Sequence, residues 1–276
     1  MAVKVLKRPA KTWLVLPDAH YPYQEQAAMN CVFHVAEHLD PDGVLVLGDW
    51  ADCEAFSSHP KKTVMELSAH RFLDDEIAPL NDALDRLQGP GLDRPLVYLE
   101  GNHEQRIERV AVSMGSAVGR DLYKLVSPRK LFFHRVGEDG EPREKRKNFK
   151  WVPHIGKGTH SHYALRPDLI AVHGWSTAKN AAKTHLDLGR SVSVVHGHTH
   201  RRQTFTARHP VTDALFTAWS PGCLSQLKPL FMANSPNDWA HGFTILHLGK
   251  NSWSHWDIPI HPGGWCVLPD GTEIKG

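Results

Sequence analysis

The stretch VLVLGDWAD at residues 44–52 joins a run of apolar residues to a turn that contains two aspartates. The apolar run at 44–47 predicts a strand that is buried on both faces, as strands of parallel sheets are. The stretches WLVLPDAH at 13–20 and LVYLEGNHE at 96–104 repeat this arrangement. Apolar residues recur at helical spacing between these runs, around 27–39 and 73–87. This part of the chain therefore predicts a largely parallel sheet whose strands are joined by crossover helices.

The rest of the chain contains a segment with strand and helix patterns, a segment of alternating strands and one irregular stretch. Apolar runs at 169–172 and 192–195 flank helical spacing around 178–188. After Gly197, alternating segments at 203–207, 215–219, 243–248 and 253–258 predict antiparallel strands of a second sheet. Residues 120–162 are rich in Gly, Pro and charge. We expect one domain over residues 1–276, with 120–162 as an insertion or lid.

Polar clusters follow five of the apolar runs, and histidine is frequent in them. The chain contains 20 His among 276 residues. In open α/β sheets, ligands bind beyond the carboxyl ends of the strands, so we expect the clusters to converge in space. Their members are Asp18 and His20, Asp49 and Asp52, Asn102 and His103, His173, and His198 and His200.

The residue types in these clusters suit metal ions. Carboxylate, imidazole and amide oxygen are ligands for Mn, Fe or Zn, and the four cysteines lie outside the clusters without CxxC spacing. The number of ligands suits two ions, and a carboxylate such as Asp49 can bridge ions about 3.5–4 Å apart. We therefore expect a two-metal centre that acidifies a water and grips phosphate oxygens.

Taken in order, these blocks resemble the signature of the calcineurin-like metallophosphoesterase superfamily. The blocks are D-x-H at 18–20, G-D-x-x-D at 48–52, G-N-H-E at 101–104, His173 and G-H-x-H at 197–200. The resemblance covers roughly residues 13–248. It implies an α/β fold, a four-layer double β-sandwich with mixed sheets and flanking helices.

The resemblance also implies roles for individual residues. His103 would contact the substrate phosphate and protonate the leaving oxygen, and Asp52 would orient His103. An alternative for Asp52 is a cap on the segment that follows it. The cofactors would be two divalent ions, most readily Mn²⁺, with Fe, Zn or Ni as alternatives. The first ion would be held by Asp18, His20, Asp49 and His200, and the second by Asp49, Asn102, His173 and His198.

Departures from the patterns of known subfamilies narrow the range of possible substrates. Ser/Thr protein phosphatases and bis-nucleoside tetraphosphatases carry Asp-Arg-Gly where this chain has Asp52-Cys53-Glu54. UDP-diacylglucosamine hydrolases typically lack the histidine that is present here as His103. We expect an exonuclease-like phosphodiesterase of phage or bacterial type that hydrolyses DNA, RNA or nucleotides by a metal-activated hydroxide. A phosphomonoesterase and a non-catalytic binding scaffold are the alternatives.

Basic residues supply further candidates. Arg106, Arg201 and Arg202 follow cluster residues and are candidate phosphate ligands, with solvated surface positions as the alternative. The run at 143–151 interleaves five basic residues with two aromatics. Such a run can bind nucleic acid or form the solvated edge of a lid.

The net charge and hydropathy of the whole chain indicate that any charged partner is bound by a local patch. The formal net charge is +2, so no overall charge attracts nucleic acid or an anionic membrane. No apolar stretch of about 18 residues is present, and the N-terminal apolar run is too short for a signal peptide. Together with scattered cysteines, these features predict a cytoplasmic protein with reduced thiols and no membrane partner.

Overall fold

The fold is described from a computed structural model of the chain, which describes residues 10–57, 72–136, 142–154, 161–229 and 236–276. The helices are α1 (Gln26–Leu39), α2 (Ala78–Gln88), α3 (Gln105–Ser113), α4 (Ser116–Val126), α5 (Pro128–Phe133) and α6 (Ala181–Gly189), with a π-helical turn at Phe72–Ile77 before α2 and a 3₁₀ turn at Glu54–Phe56. The strands are β1 (Lys11–Leu16), β2 (Gly43–Val46), β3 (Leu96–Leu99), β4 (His134–Val136), β5 (Pro142–Lys145), β6 (Phe149–Val152), β7 (Tyr163–Arg166), β8 (Leu169–Val172), β9 (Ser193–His196), β10 (Arg202–Arg208), β11 (Leu215–Pro221), β12 (Gly242–Leu248), β13 (Trp253–Pro259), β14 (Trp265–Val267) and β15 (Glu273–Lys275).

Two mixed sheets organise the described part of the chain. The first has six strands in the order β13-β12-β1-β2-β3-β6, and the second has five in the order β10-β11-β9-β8-β7. In the first sheet, β1, β2, β3 and β6 are parallel, and β12 pairs antiparallel with β1. In the second, β8, β9 and β11 are parallel, and β7 and β10 are antiparallel to their neighbours.

The predicted assignment of strands to sheets is wrong for two pairs of strands, and β11, expected to be antiparallel, pairs parallel with β9. β12 and β13 were expected in the second sheet but extend the first, whereas β8 and β9 lie in the second. β12 begins with five buried residues, so it needs a neighbouring strand on each side and cover on each face. Alternation identifies such a strand but does not say with which other strand it pairs.

The alternation of side chains along β1, β2 and β3 creates the layers. Val15 and Leu45 point toward the second sheet, where they pack in one cluster with Ala171 and Trp219. Their neighbours face the opposite way and pack against α1 and α2, while α6 covers the outer face of the second sheet. The order helix, sheet, sheet, helix confirms the predicted α/β fold class.

Part of the predicted insertion at 120–162 belongs to the core. β6 pairs parallel with β3 as an edge strand of the first sheet, and Phe149 on it is buried. Trp151 stacks on the buried Tyr98, with ring centroids 4.9 Å apart. Both aromatic residues of the 143–151 run therefore pack within the protein, which corrects the idea that they are free to stack on bases.

Arg146, in the same run, is also buried. It forms an ion pair with Asp85, and it donates hydrogen bonds to the backbone carbonyls of Phe132 (3.0 Å) and Asn81 (2.9 Å). The side chains of residues 142–145 lie outside the described part, as do residues 137–141 and 155–160. The lid role of the remaining segment stays a prediction.

No helix in the described ranges is both long enough and apolar enough to cross a membrane.

Candidate metal centre

The polar clusters of both sheets meet at one place. The loops after β1, β2 and β3 come from the first sheet, and those after β8 and β9 come from the second. Asp18, Asp49, His173 and His200 are all buried there. The sequence places the clusters at strand ends, and the packing of two sheets brings them together.

The first group of candidate ligands consists of Asp18, His20 and His200, whose ligand atoms all lie within 4.8 Å of one another. The Nε2 atoms of His20 and His200 are 3.1 Å apart. His200 Nε2 lies 3.7 Å from Asp18 Oδ1, and His20 Nε2 lies 3.9 Å from Asp49 Oδ2. These are the four residues expected around the first ion.

The second group consists of Asp49, His173 and His198. His173 Nε2 lies 3.2 Å from Asp49 Oδ2 and 3.0 Å from Asn102 Oδ1. The rings of His173 and His198 are edge to face, with centroids 5.0 Å apart. Because Asp49 lies beside both groups, its carboxylate has the position that a bridging ligand requires.

The orientation of the imidazole nitrogens fits bound cations. His173 Nδ1 is 2.8 Å from the Leu47 carbonyl, to which it donates, so a neutral His173 turns a lone pair at Nε2 toward two oxygen acceptors. His20 Nδ1 is bonded to Asp52 at 2.9 Å, so its Nε2 faces the Nε2 of His200. Acceptors that face acceptors repel unless a proton or a metal ion lies between them. The nitrogen and oxygen donors present therefore fit divalent metal ions.

The acidities of the site reflect burial and close pairing. Burial raises the pKa of Asp18 to about 6. Burial also opposes ionisation of Asp49, but the neighbouring imidazoles of His173 and His103 hold its pKa well below the usual range. His173 is affected in the opposite sense, because Asp49 outweighs burial and raises its pKa to about 10. Asp49 is thus held as a carboxylate by positive charge on His173, a charge that a bound divalent ion would supply in place of the proton.

Asp52 contacts two histidines at once. Its Oδ1 accepts hydrogen bonds from Nδ1 of His20 (2.9 Å) and Nδ1 of His103 (3.0 Å). Burial opposes its charge, but these bonds hold the pKa of Asp52 well below its usual range. The structure thus brings together Asp52 and His103, and it adds a link to His20 that the spacing did not predict.

Of the three candidate arginines, only Arg106 lies beside this pair. Its Nη2 donates to His103 Nε2 at 3.0 Å, and its Nη1 donates to the Asp52 carbonyl at 2.8 Å. Arg201 instead donates to the carbonyl of Ala178 at 2.7 Å, and Arg202 to that of Asp257 at 3.2 Å. The guanidinium groups of Arg201 and Arg202 thus bind backbone carbonyls, and their assignment to the substrate stays a prediction.

Glu104 supports the site, and the sequence reasoning quoted it in the block at 101–104 without assigning it a role. It is fully buried, and its carboxylate accepts hydrogen bonds from the backbone N–H groups of Asp49 (3.1 Å), Trp50 (2.9 Å) and Gly101 (2.8 Å). The Tyr98 hydroxyl donates to it as well. Glu104 therefore fixes the loops after β2 and β3 relative to each other. Its position directly after Asn102 and His103 was the available signal.

Two glycines allow these loops to approach closely. Gly48 has φ +98°, and a Cβ there would lie 2.8 Å from the Gly101 nitrogen. A Cβ on Gly101 would lie 2.1 Å from Asp49 Oδ1. Larger residues at either position would displace the Asp49 carboxylate or its loop.

His196, the last residue of β9, packs against a neighbouring histidine. Its ring stacks on that of His185 with centroids 3.7 Å apart, and its Nδ1 lies 3.0 Å from the Gly197 carbonyl. It therefore packs on α6 and is not part of either ligand group.

Comparison with known proteins identifies the class. Residues 12–202 match the family Calcineurin-like phosphoesterase, and the chain belongs to this family. It is 23% identical over 267 residues to the Gene 54 protein of Mycobacterium phage L5. The alignment covers 94% of this chain and 97% of that protein.

Two solved structures show more distant similarity. Vacuolar Protein Sorting 29 from Cryptosporidium parvum is 12% identical with a TM-score of 0.44, covering 98% of this chain and 97% of that one. YfcE, a phosphoesterase from E. coli, is 12% identical with a TM-score of 0.35, covering 89% and 98%.

Proposed function

We propose that this protein is a two-metal phosphoesterase, with phosphodiesters of nucleic acids or nucleotides as its substrates. The observation that carries the proposal is the position of Asp49, which lies beside two groups of ligands and within 3.9 Å of His103 Nε2. The candidate metal ligands and the candidate general acid thus lie side by side. Family membership supports the reaction class.

The residues that would hold the ions are those of the two groups. Two divalent ions, with Mn²⁺ as our first choice, would supply an acidified water nucleophile and positive charge for the phosphate oxygens. The first would be held by Asp18, His20, Asp49 and His200, and the second by Asp49, Asn102, His173 and His198.

His103 would act as the general acid. Asp52 binds its Nδ1, so that Nε2 is the nitrogen directed toward the substrate. The His103 side chain is 19% exposed, which leaves this nitrogen within reach of a leaving oxygen. Nε2 accepts from Arg106 in this structure. Once Arg106 turns to a phosphate oxygen, a protonated Nε2 would donate to the leaving oxygen as the P–O bond breaks, and Asp52 would stabilise the imidazolium.

A phosphomonoesterase is the second candidate, and Arg106 favours it. Its guanidinium lies against His103, where it can bind a non-bridging phosphate oxygen. A monoester carries up to two negative charges, so it gains more from this contact than a singly charged diester does.

The test is hydrolysis of bis-p-nitrophenyl phosphate and p-nitrophenyl phosphate by purified protein before and after chelation. Chelation should abolish turnover, and Mn²⁺ should restore it. The ratio of the two rates ranks the diester and monoester candidates, and Asp49→Asn serves as the inactive control. Turnover that persists without metal contradicts the proposal, and metal binding without turnover on any phosphoester supports a binding scaffold instead.

A further inference from the structure

Two cysteines that are far apart in sequence meet in the core. Cys31 lies in the middle of α1, and Cys266 lies in β14. Their Sγ atoms are 3.3 Å apart across 235 residues of sequence, with the Cys31 thiol donating to the Cys266 sulfur. Both side chains are fully buried. Cys53 and Cys223 make no such thiol–thiol contact within the described residues.

The pair lies where a small terminal unit packs on a helix. β14 and β15 form a two-stranded antiparallel sheet, here called the C-terminal hairpin, and it contacts α1. The Lys275 carbonyl accepts a hydrogen bond from His34 Nδ1 at 2.7 Å. A Cβ on Gly276 would lie 2.4 Å from the Cys31 nitrogen, so the backbones are in close contact. The thiols are thus held together by contacts on both sides of them.

We propose that Cys31 and Cys266 are a modification site, at which oxidation forms a disulfide that ties the C-terminal hairpin to α1. The sulfurs are already in contact, so closing the bond requires only a small approach. Such a bond would join α1, the first helix of the fold, to β14 of the C-terminal hairpin.

The oxidant for this reaction is a small disulfide. Oxidised glutathione serves as the probe for it. The Cys266 thiolate attacks one glutathione sulfur and releases one glutathione thiolate, which takes up a proton. The Cys31 thiolate then attacks the Cys266 sulfur and releases the second glutathione. Two protein thiols are oxidised, one glutathione disulfide is reduced, and the two thiol protons pass to the leaving groups.

Cys266 is suited to the first step. The hydrogen bond from Cys31 lowers its pKa below the ordinary value, which favours the thiolate. Its strand has three residues, and the flanking Trp265 and Val267 are 39% and 50% exposed. Local opening of so small a hairpin gives the oxidant access without unfolding of the sheets.

The experiment oxidises the folded, reduced protein with glutathione disulfide and then counts thiols by alkylation in denaturant. We expect two of the four cysteines to escape alkylation, a mass lower by two hydrogens, and one cross-linked peptide that contains Cys31 and Cys266. Dithiothreitol should restore four thiols. Four alkylated cysteines, glutathione adducts alone, or a different cross-link would overturn the proposal.

Variants test the assignment independently. Cys31→Ser and Cys266→Ser should form no cross-link, whereas the matched control Cys223→Ser should form it as the wild type does. The melting temperature of the wild type should rise on oxidation, because a link across 235 residues restricts the unfolded chain. If a serine variant does not fold, the peptide map of the oxidised wild type still shows whether Cys31 and Cys266 are cross-linked.

Discussion

His103 is bonded at both ring nitrogens in this structure. Nδ1 is 2.9 Å from the Asp52 carbonyl and 3.0 Å from its carboxylate, and Nε2 accepts from Arg106. These bonds hold the ring in one orientation beside Asp49. His103 lies in a third group of possible ligands, with His20 and Asp52, and not in the groups that contain Asp18 or His173. Replacing His103 therefore distinguishes a general acid from a metal ligand.

His103→Ala should slow turnover by about 10²–10⁴-fold, because the leaving oxygen loses its general acid. Metal content should stay at the wild-type level. Elemental analysis and kcat on bis-p-nitrophenyl phosphate measure the two quantities, and His38→Ala, on the exposed side of α1, is the control. Loss of metal from the His103 variant would show that the ring is a ligand.

Arg106→Met should affect monoesters more than diesters. A charge-assisted hydrogen bond contributes about 1.5–3 kcal/mol, so kcat/KM for p-nitrophenyl phosphate should fall ~10- to 100-fold. Arg109→Met is the matched control, since Arg109 lies on the same helix and donates to Gln105. Equal losses for both substrates, or equal effects of the two variants, would count against a phosphate contact.

At the scale of elements, strand ends and the segments behind them have different roles. The loops after the strands carry the candidate ligands, whereas Arg146, in the basic run that leads into β6, makes contacts that hold elements of the fold together. Gln88, on α2, accepts a hydrogen bond from Arg146 at 3.1 Å, so Arg146 joins α2 to the segment that leads into β6. The positive charge of Arg146 is thus used inside the protein.

Arg146→Met should lower the free energy of unfolding by about 3–5 kcal/mol, because it removes a buried charge that pairs with the Asp85 carboxylate. Urea denaturation measures this loss, and Lys147→Met, at an exposed position, should change stability little. A stable Arg146 variant with weakened DNA binding would instead support the nucleic-acid interpretation of the run.

At the scale of the whole molecule, the site depends on how the two sheets are held together. Trp219 on β11 is fully buried between them, and its Nε1 donates to Thr244 on β12 at 3.1 Å. Asp18 also binds across the sheets, since its carboxylate accepts from the His198 backbone N–H at 2.8 Å. The metal ligands are therefore positioned by inter-sheet packing as well as by their own loops.

Trp219→Ala should lower the free energy of unfolding by about 3–5 kcal/mol. Metal affinity should fall as well, because the loops of the two sheets lose their fixed separation. Trp219→Phe should cost about 1 kcal/mol through the lost hydrogen bond. Trp265→Ala, at a partly exposed ring, is the control; unchanged metal affinity in Trp219→Ala would show that the loops are positioned independently of the core.

The sequence by itself determined strands β1 to β3 and β8 to β13, the helices α1, α2 and α6, the resemblance to the family and the candidate ligands. These follow from local periodicity and from residue types at strand ends, which need no knowledge of distant partners. Only the tertiary structure decided which sheet each strand joins, and it alone placed Arg106 beside His103 while turning Arg201 and Arg202 toward backbone. It also buried Arg146 and Glu104 and paired Cys31 with Cys266. Such contacts join residues far apart in the chain, and the direction of a side chain depends on packing that short-range patterns do not encode.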